Sequence, residues 1–395
     1  KSSSLILYFD VGSRFEQPEI AGVSHFLEHM LFKGTEKRPD AKMISEEVEG
    51  VGGILNAGTG RESTNYWAKV PSTKTDLAFE VLADMLNSSV VDAKELDKER
   101  SVIVEEIRGT EDSPEEMVHE VIDEVIWGSD PVGRPIAGSV ETVNAISREA
   151  MVDFWKRNYL PKRMVIAAGG DVDHNHIVEL SDRYFGNLEH YGEPDRFVPA
   201  TVEQTERRLH VVERPTEQAH LCIGMPALPF TTERRYVQGT IEAVLSSGMS
   251  SRLFQALREQ EGLCYQIQSD LMAFEEAGML QVFFATDPKH LPRVLKRLGE
   301  VLTGLREEGP TEVEVVEALG SLVGQTRIAL ETTGAQMSWA AETLLGYGEC
   351  IPPARALTEL ATVSLAETRE AAARILVPEG MSLAAVGPPR ARKPL

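Results

Sequence analysis

The sequence contains 395 residues, with 40 Lys and Arg against 62 Asp and Glu, which gives a formal net charge of −22. Hydrophobic residues make up 42% and charged residues 26% of the chain, a balance typical of folded globular proteins and not of disordered or fibrous ones. At about 100–200 residues per domain, the length predicts two or three domains. The negative charge argues against a nucleic-acid binder, and no run reaches the roughly 18 apolar residues that cross a bilayer.

The three cysteines, Cys222, Cys264 and Cys350, are far apart and form no Cys-x-x-Cys pair. This spacing favours reduced thiols in a reducing compartment over a disulfide framework. The chain begins at Lys1 and enters a predicted strand within a few residues, so the sequence leaves open whether a segment with a targeting signal precedes it.

Predicted strands and helices alternate along the chain, which indicates α/β or α+β domains, and of these we predict the α+β class. In the first half, alternating apolar residues mark the strands and apolar residues at helical spacing mark the helices. The strands are predicted at 5–11, 54–57, 63–70 and 164–168, and the helices at 19–32, 43–51, 77–86, 94–109, 115–126 and 147–157.

The second half repeats this order less clearly, which suggests two homologous α/β sandwich-like domains from an internal duplication. We predict an N-terminal domain at 1–195 and a C-terminal domain at 208–395, joined by a polar linker over 191–208. The strands are predicted at 219–225, 269–271, 279–284 and 381–386, and the helices at 232–260 with a break at Gly248, 291–305, 312–330 and 366–375.

The segment His25-Phe26-Leu27-Glu28-His29 carries the clearest chemical signal in the chain. On a helix, His25, Glu28 and His29 are related as i, i+3 and i+4, so their side chains share one face. Two imidazoles one turn apart can bind one metal ion, and the carboxylate between them can reach a water on that metal. This is the HxxEH order of the inverted zincins, a class of zinc hydrolases.

A catalytic zinc usually takes a third protein ligand, which we expect on the acidic helix predicted at 94–109. Glu99 and Glu106 are nearly two helical turns apart, so they point in about the same direction, with Ile103 between them. The geometry therefore favours Glu106 as the third ligand and Glu99 as a second carboxylate that orients a ligand or the reacting water. Glu105 falls on a different, polar stripe, with Lys98, Ser101 and Arg108.

The HxxEH segment and Glu106, with 76 residues between His29 and Glu106, resemble the pitrilysin/insulinase family of zinc metallopeptidases. The flanking segment 22–35 is similar to the catalytic helix of that family. The resemblance is closest to bacterial single-chain relatives of the mitochondrial processing peptidase β-subunit. It implies an endopeptidase with one Zn²⁺ per chain, bound by His25, His29 and Glu106, and with Glu28 as the general base.

The resemblance also implies substrate contacts in two further segments. Leu55, Asn56 and Ala57 belong to a segment similar to the family's active-site edge strand, which pairs with an extended peptide through backbone hydrogen bonds. Arg258 and Tyr265 are similar to an Arg/Tyr pair that approaches the zinc site from the opposite domain, where Arg258 would hold a substrate carbonyl and Tyr265 the oxyanion. From the residues alone, the first segment also fits an ordinary hairpin strand. Arg258 also fits a surface charge, and Tyr265 a half-buried ring.

The family resemblance further implies a closed chamber of four α/β halves, so we expect a homodimer in which each chain forms half of a clamshell. The expected partners are peptides or unfolded polypeptides, with no nucleic acid and no membrane. We expect a bacterial cytoplasmic location, with the mitochondrial matrix as the alternative. The sequence does not fix the native metal beyond a divalent ion.

Two other functions stay open at this point. One is a non-catalytic scaffold of the same fold, as in core subunits of a respiratory complex, which tend to lose residues of the zinc motif. The other is a zinc subunit that requires a different, inactive partner chain. The Arg258 and Tyr265 match argues against a required partner. Against the scaffold, this chain keeps all of the motif residues, namely His25, Glu28, His29, Glu99 and Glu106.

Overall fold

The computed structural model describes residues 1–188, 192–200, 204, 206–232 and 234–391. Parts of the predicted linker, namely residues 191, 201–203 and 205, lie outside this description. The chain divides into two compact units. Unit 1 comprises Lys1–Arg108, Arg134–Val198 and Ala329–Ile351, and unit 2 comprises Gly109–Gly133, Pro199–Ile328 and Pro352–Leu395.

Unit 1 is built around an antiparallel sheet with the strand order β2-β3-β1-β4. Its strands are β1 (Ser2–Phe9), β2 (Ile54–Thr59), β3 (Thr64–Pro71) and β4 (Met164–Gly170). Its helices are α1 (Val23–Leu31), α2 (Ala41–Glu49), α3 (Thr75–Ser88), α4 (Ala93–Asp112, of which the last residues enter unit 2), α6 (Val140–Ala145), α7 (Arg148–Asn158), α8 (His174–Phe185) and α12 (Thr333–Tyr347).

Strand β1 is buried on both faces because helices cover the sheet of unit 1 on both sides. Leu5 and Leu7 point into the main core of this unit, which also contains the apolar faces of α1, α3 and α4. Ile6 and Tyr8 point to the opposite face, where they pack against Met337 of α12. A strand that is covered on both faces needs apolar residues at consecutive positions, and the segment from Leu5 to Phe9 is such a continuous apolar run.

Unit 2 contains a five-stranded sheet with the order β5-β9-β6-β8-β7, in which β5 and β9 are parallel and the other pairs antiparallel. Its strands are β5 (Arg208–Glu213), β6 (Ala219–Ala227), β7 (Gln266–Ala273), β8 (Gly278–Thr286) and β9 (Ser382–Gly387). Its helices are α5 (Pro114–Trp127), α9 (Arg235–Ser246), a π-helix (Phe254–Glu259), α10 (Leu291–Glu307), α11 (Glu312–Ala329, which ends in unit 1), α13 (Pro353–Ala361) and α14 (Leu365–Ile375).

Two helices depart from the predicted division into residues 1–195 and 208–395. Helix α5 belongs to unit 2, where Val118 and Ile122 pack with Phe283 on one face of the sheet. Helix α12 belongs to unit 1, where it covers β1 and β4. Each sheet thus receives its second helical layer from a distant part of the sequence, which a single boundary in the chain does not describe.

The predicted α+β class is confirmed, because each unit combines one sheet with helices packed against both of its faces. No helix in the described ranges is both long and apolar enough to span a membrane.

Candidate metal centre

Helix α1 has one apolar face and one face that carries two of the predicted metal ligands, His25 and His29. Phe26, Leu27 and Met30 are fully buried in the core of unit 1 and fix the rotation of the helix about its axis. His25 and His29 lie on the other face with their side chains about one-fifth exposed. Their rings stand 4.5 Å apart at an angle of 67°.

Helix α4 presents two carboxylates to this face of α1, as its seven-residue spacing predicts. Ile103 is fully buried between them and anchors the stripe in the core. The side chain of Glu99 is 8% exposed and that of Glu106 is 47% exposed, whereas Glu105 is 71% exposed and pairs with Arg108. The buried end of the stripe therefore holds Glu99, and Glu106 lies at its open end.

His25, His29 and Glu106 together form a donor set that fits a zinc ion. One Glu106 carboxylate oxygen, Oε2, lies 4.0 Å from His25 Nε2 and 3.9 Å from His29 Nε2, and the three donor atoms are all within 4.8 Å of one another. A tetrahedral zinc binds such atoms at about 2.0–2.2 Å, which places them roughly 3.4 Å apart. Side-chain shifts of about an ångström close this set around one ion and leave a fourth position open.

Glu99 orients one of these imidazoles. His29 Nδ1 lies 2.8 Å from Glu99 Oε1, and the other carboxylate oxygen, Oε2, lies 2.6 Å from Lys33 Nζ. A proton on His29 Nδ1 leaves the Nε2 lone pair free for a metal, which is how carboxylates commonly support metal-binding histidines. No role was predicted for Lys33, which lies four residues after His29 and just beyond the end of α1.

The surroundings of His25 favour its neutral imidazole, the form that binds metal. Burial lowers the pKa of His25 to about 4, and the nearby His29 adds to this shift. His25 Nδ1 is buried and has no hydrogen-bond partner among the described residues, so packing orients the His25 ring.

Glu28 lies beside the two histidines and receives a hydrogen bond from Thr59 Oγ1 at the end of strand β2. Burial raises the pKa of the Glu28 carboxyl, whereas the hydrogen bond from Thr59 lowers it. Sequence reasoning missed Thr59. The signal for it was alternation: Leu55 and Ala57 pack against the core, and Thr59 follows them on the same face.

Strand β2, which contains the predicted substrate-binding residues, is an edge strand. It pairs with β3 on one side and has no strand on the other among the described residues. The side chains of Leu55 and Ala57 are half-buried against the core. Asn56 is exposed, and its Oδ1 accepts a hydrogen bond from the Ala57 amide at 2.8 Å.

Arg258 and Tyr265 lie together on the surface of unit 2. The Arg258 guanidinium is 4.9 Å from the centre of the Tyr265 ring and 4.8 Å from that of Phe254. Tyr265 is 81% exposed. The π-helix places Phe254 and Arg258 on one side, a contact that the seven-residue spacing of Arg258 and Tyr265 did not indicate.

Family models and curated relatives match this chain over most of its length. Residues 1–140 match the family model described as "Insulinase (Peptidase family M16)", and residues 145–322 match the one described as "Peptidase M16 inactive domain". An uncharacterized zinc protease of Streptomyces coelicolor is 38% identical over 98% of this chain and 85% of its own length. Another from Bacillus subtilis is 35% identical over 98% of this chain and 93% of its own length.

Solved structures with low sequence identity share the fold. A protease from Helicobacter pylori superposes with a TM-score of 0.91 at 20% identity, covering 98% of this chain and 94% of the other. A peptidase M16 inactive domain from Pseudomonas fluorescens gives a TM-score of 0.91 at 18% identity, covering 100% of this chain and 94% of the other.

Proposed function

This chain belongs to the insulinase family of peptidases, family M16, and we propose that it is a zinc metalloendopeptidase that hydrolyses extended or unfolded peptides. The observation that carries the proposal is the convergence of His25, His29 and Glu106 with Glu28 beside them. We propose one zinc ion per chain, because two imidazoles and one carboxylate are a typical set of ligands for one catalytic zinc ion. The zinc content of purified protein, measured with its hydrolysis of a mixture of unfolded peptides, tests this proposal.

The side chains around the donor set have different roles in the proposed reaction. His25, His29 and Glu106 would hold the zinc ion, which would supply Lewis-acid activation of a water at neutral pH and of the scissile carbonyl. Glu28 takes the proton from the attacking water and delivers it to the leaving amine nitrogen. Glu99 keeps the proton of His29 on Nδ1, and Lys33 holds Glu99 in the orientation that this requires.

Strand β2 is proposed to bind the substrate. An extended peptide that adds to its open edge is held by the outward-facing backbone groups of the segment Leu55, Asn56 and Ala57, so affinity depends weakly on the peptide sequence. The same strand ends at Thr59, which contacts the proposed general base. Substrate binding at this edge therefore occurs next to the reacting groups.

Thr59→Val is expected to lower kcat about tenfold, with KM and zinc affinity unchanged, because Glu28 loses the hydroxyl that orients its carboxylate. Thr59→Ser keeps the hydroxyl and is expected to retain most of the activity. Steady-state kinetics of both variants on one fluorogenic peptide measure the effect. An unchanged kcat in Thr59→Val would show that this hydrogen bond has no part in the reaction.

Arg258 and Tyr265 are proposed to act on the substrate at the zinc site, with Tyr265 donating to the oxyanion and Arg258 holding a carbonyl. Tyr265→Phe is expected to lower kcat about 100-fold while zinc affinity stays the same, because only the transition state loses a hydrogen bond. Tyr236→Phe is a matched control, since the Tyr236 ring also lies against an arginine, with Arg235 4.7 Å from its centre. Equal kcat in wild type and Tyr265→Phe contradicts the assignment.

We propose that this chain forms a homodimer, which allows a second test of the Arg258 and Tyr265 pair. If Tyr265 of one chain serves the zinc site of the other, mixing inactive Glu28→Gln chains with Tyr265→Phe chains restores part of the activity, because mixed dimers contain one intact site. A dimer on a sizing column without such complementation places both groups in one chain. A monomer that is active only with a second protein supports the alternative of an inactive partner.

The cytoplasm of a bacterium is the proposed location of this protein.

A further inference from the structure

Helix α1 begins without a capping side chain of its own. Its N-cap residue is Gly22, which has a φ of +94° and no side-chain hydrogen bond to the helix. A helix N-terminus leaves its first backbone N–H groups without intrahelical partners, and Ser, Thr, Asp or Asn at the N-cap usually satisfies one of them. Here a Cβ at position 22 would lie 2.5 Å from the carbonyl oxygen of Ala137, so such a residue is excluded.

Glu16 supplies the missing cap from six residues earlier. Its Oε2 accepts a hydrogen bond from the Gly22 amide at 2.7 Å, and its Oε1 accepts one from the Ser24 amide at 2.7 Å. Both carboxylate oxygens are used, and the residue is 5% exposed. Hydrogen bonds from amides to a carboxylate are short and strong, and a negative charge at this end of a helix is further stabilised by the helix dipole.

The segment around Glu16 is fixed to the rest of unit 1. Arg134 donates a hydrogen bond to the Glu16 backbone carbonyl at 3.0 Å. Burial raises the pKa of Glu16 to about 7, and the amides of Ser24 and Gly22 and the charge of Arg134 oppose this rise. Burying a carboxylate is costly, so a protein with an ordinary helix start would not need one here.

The cap acts on the turn that contains the first proposed metal ligand. Val23, Ser24 and His25 are the first three residues of α1, and the first intrahelical hydrogen bond joins the Phe26 amide to the Gly22 carbonyl at 2.9 Å. His29 is one turn further into the helix. If the first turn frays, His25 therefore moves relative to the other two donors while His29 stays in position.

We propose that Glu16 is a positioning residue for the metal centre, which holds the first turn of α1 so that His25 meets His29 and Glu106 around one ion. The inference depends on the proposed function only through that metal site. Glu16 touches neither the ion nor the substrate, and it acts through the two amides of Gly22 and Ser24.

Glu16→Gln tests the role, because its amide nitrogen faces an N–H donor where a carboxylate oxygen accepted a hydrogen bond. Zinc affinity is measured at pH 8 by competition with a chromogenic chelator, and the coordination geometry from the visible spectrum of the cobalt-substituted protein. We expect zinc affinity to fall about tenfold, as for residues that orient metal ligands, and the cobalt spectrum to change.

Asp40→Asn is the matched control, because Asp40 caps α2 by accepting from the Met43 amide at 2.9 Å and that helix carries no proposed ligand. Asparagine keeps an oxygen for the Met43 amide and loses only the negative charge at the helix N-terminus. The variant is therefore expected to lower the Tm slightly without changing zinc affinity or the cobalt spectrum. If Glu16→Gln does not fold, Glu16→Asp, which can keep one of the two bonds, is expected to show a smaller loss of zinc affinity.

The outcomes separate this inference from the proposed function. A folded Glu16 variant, Gln or Asp, with a lower Tm but wild-type zinc affinity and cobalt spectrum overturns the positioning role and leaves the peptidase proposal intact. Weakened zinc binding in the Glu16 variant, together with a zinc-loaded wild type that cleaves no peptide, supports the positioning role and contradicts the peptidase. A wild-type protein that binds neither zinc nor cobalt overturns both.

Discussion

Glu28→Gln is expected to lower kcat about 10³-fold while one zinc ion per chain stays bound, because glutamine has the shape of glutamate but accepts no proton at neutral pH. Glu28 is not in the donor set of His25, His29 and Glu106, so its replacement leaves the metal ligands in place. Zinc content and peptide hydrolysis are measured on the same preparations of both proteins. The residual rate of the variant reports what metal and substrate binding achieve without the base.

Glu19→Gln is the control for this variant, because Glu19 is an exposed glutamate in the segment before the same helix. It is expected to have wild-type activity and zinc content. Equal rates for Glu28→Gln and the wild type contradict the role of Glu28 as base. Zinc-loaded wild-type protein that cleaves nothing would instead favour the scaffold, or a zinc subunit that requires a partner chain.

The ligand helices could be predicted from sequence because their signals are local. The predicted helix at 94–109 corresponds to α4, Ala93–Asp112, which ends just before Pro114. The face shared by His25 and His29, and the stripe shared by Glu99 and Glu106, follow from helical geometry alone. Once the structure placed the two helices side by side, the residues chosen by spacing faced one another.

Helix α12 shows why other elements were not predicted. Its sequence contains small and apolar residues around its whole circumference, so no single apolar stripe marks it as a surface helix. It is held in unit 1 by contacts with β1, including the hydrogen bond from the Tyr8 hydroxyl to Glu342 at 2.9 Å. Strand β5 was missed for a similar reason, since it is short and is defined by its pairing with β9.

The supporting residues of the site were not predictable because each acts across the fold. Lys33 reaches Glu99 from the end of α1, Thr59 reaches Glu28 from the sheet, and Glu16 reaches the start of α1 from the preceding segment. Helical spacing identifies residues on one face of one helix. It gives no information on which side chain from another element fills the remaining hydrogen bonds.

Neighbouring glutamates on α4 allow a test of the metal site in which the two variants have the same chemical change. Glu105 and Glu106 are adjacent in the sequence, but Glu105 pairs with Arg108 at 2.6 Å on the exposed side, whereas Glu106 faces His25 and His29. An exposed pair of this kind contributes little to stability, so Glu105→Gln is expected to keep wild-type zinc affinity and activity.

Glu106→Gln is expected to lower zinc affinity on the order of 10³-fold, because losing a group that only orients a ligand already costs about 10–100-fold. A neutral amide oxygen replaces the one anionic donor of the set, and two imidazoles alone hold a divalent ion weakly. Chelator competition and peptide hydrolysis at a fixed low zinc concentration measure both consequences.

Hydrolysis by Glu106→Gln is expected to return when excess zinc is added, since Glu28 and the substrate strand are unchanged. If Glu105→Gln loses zinc and Glu106→Gln retains it, then α4 turns Glu105, and not Glu106, toward the two histidines. If neither variant loses zinc, the third ligand lies elsewhere in the chain.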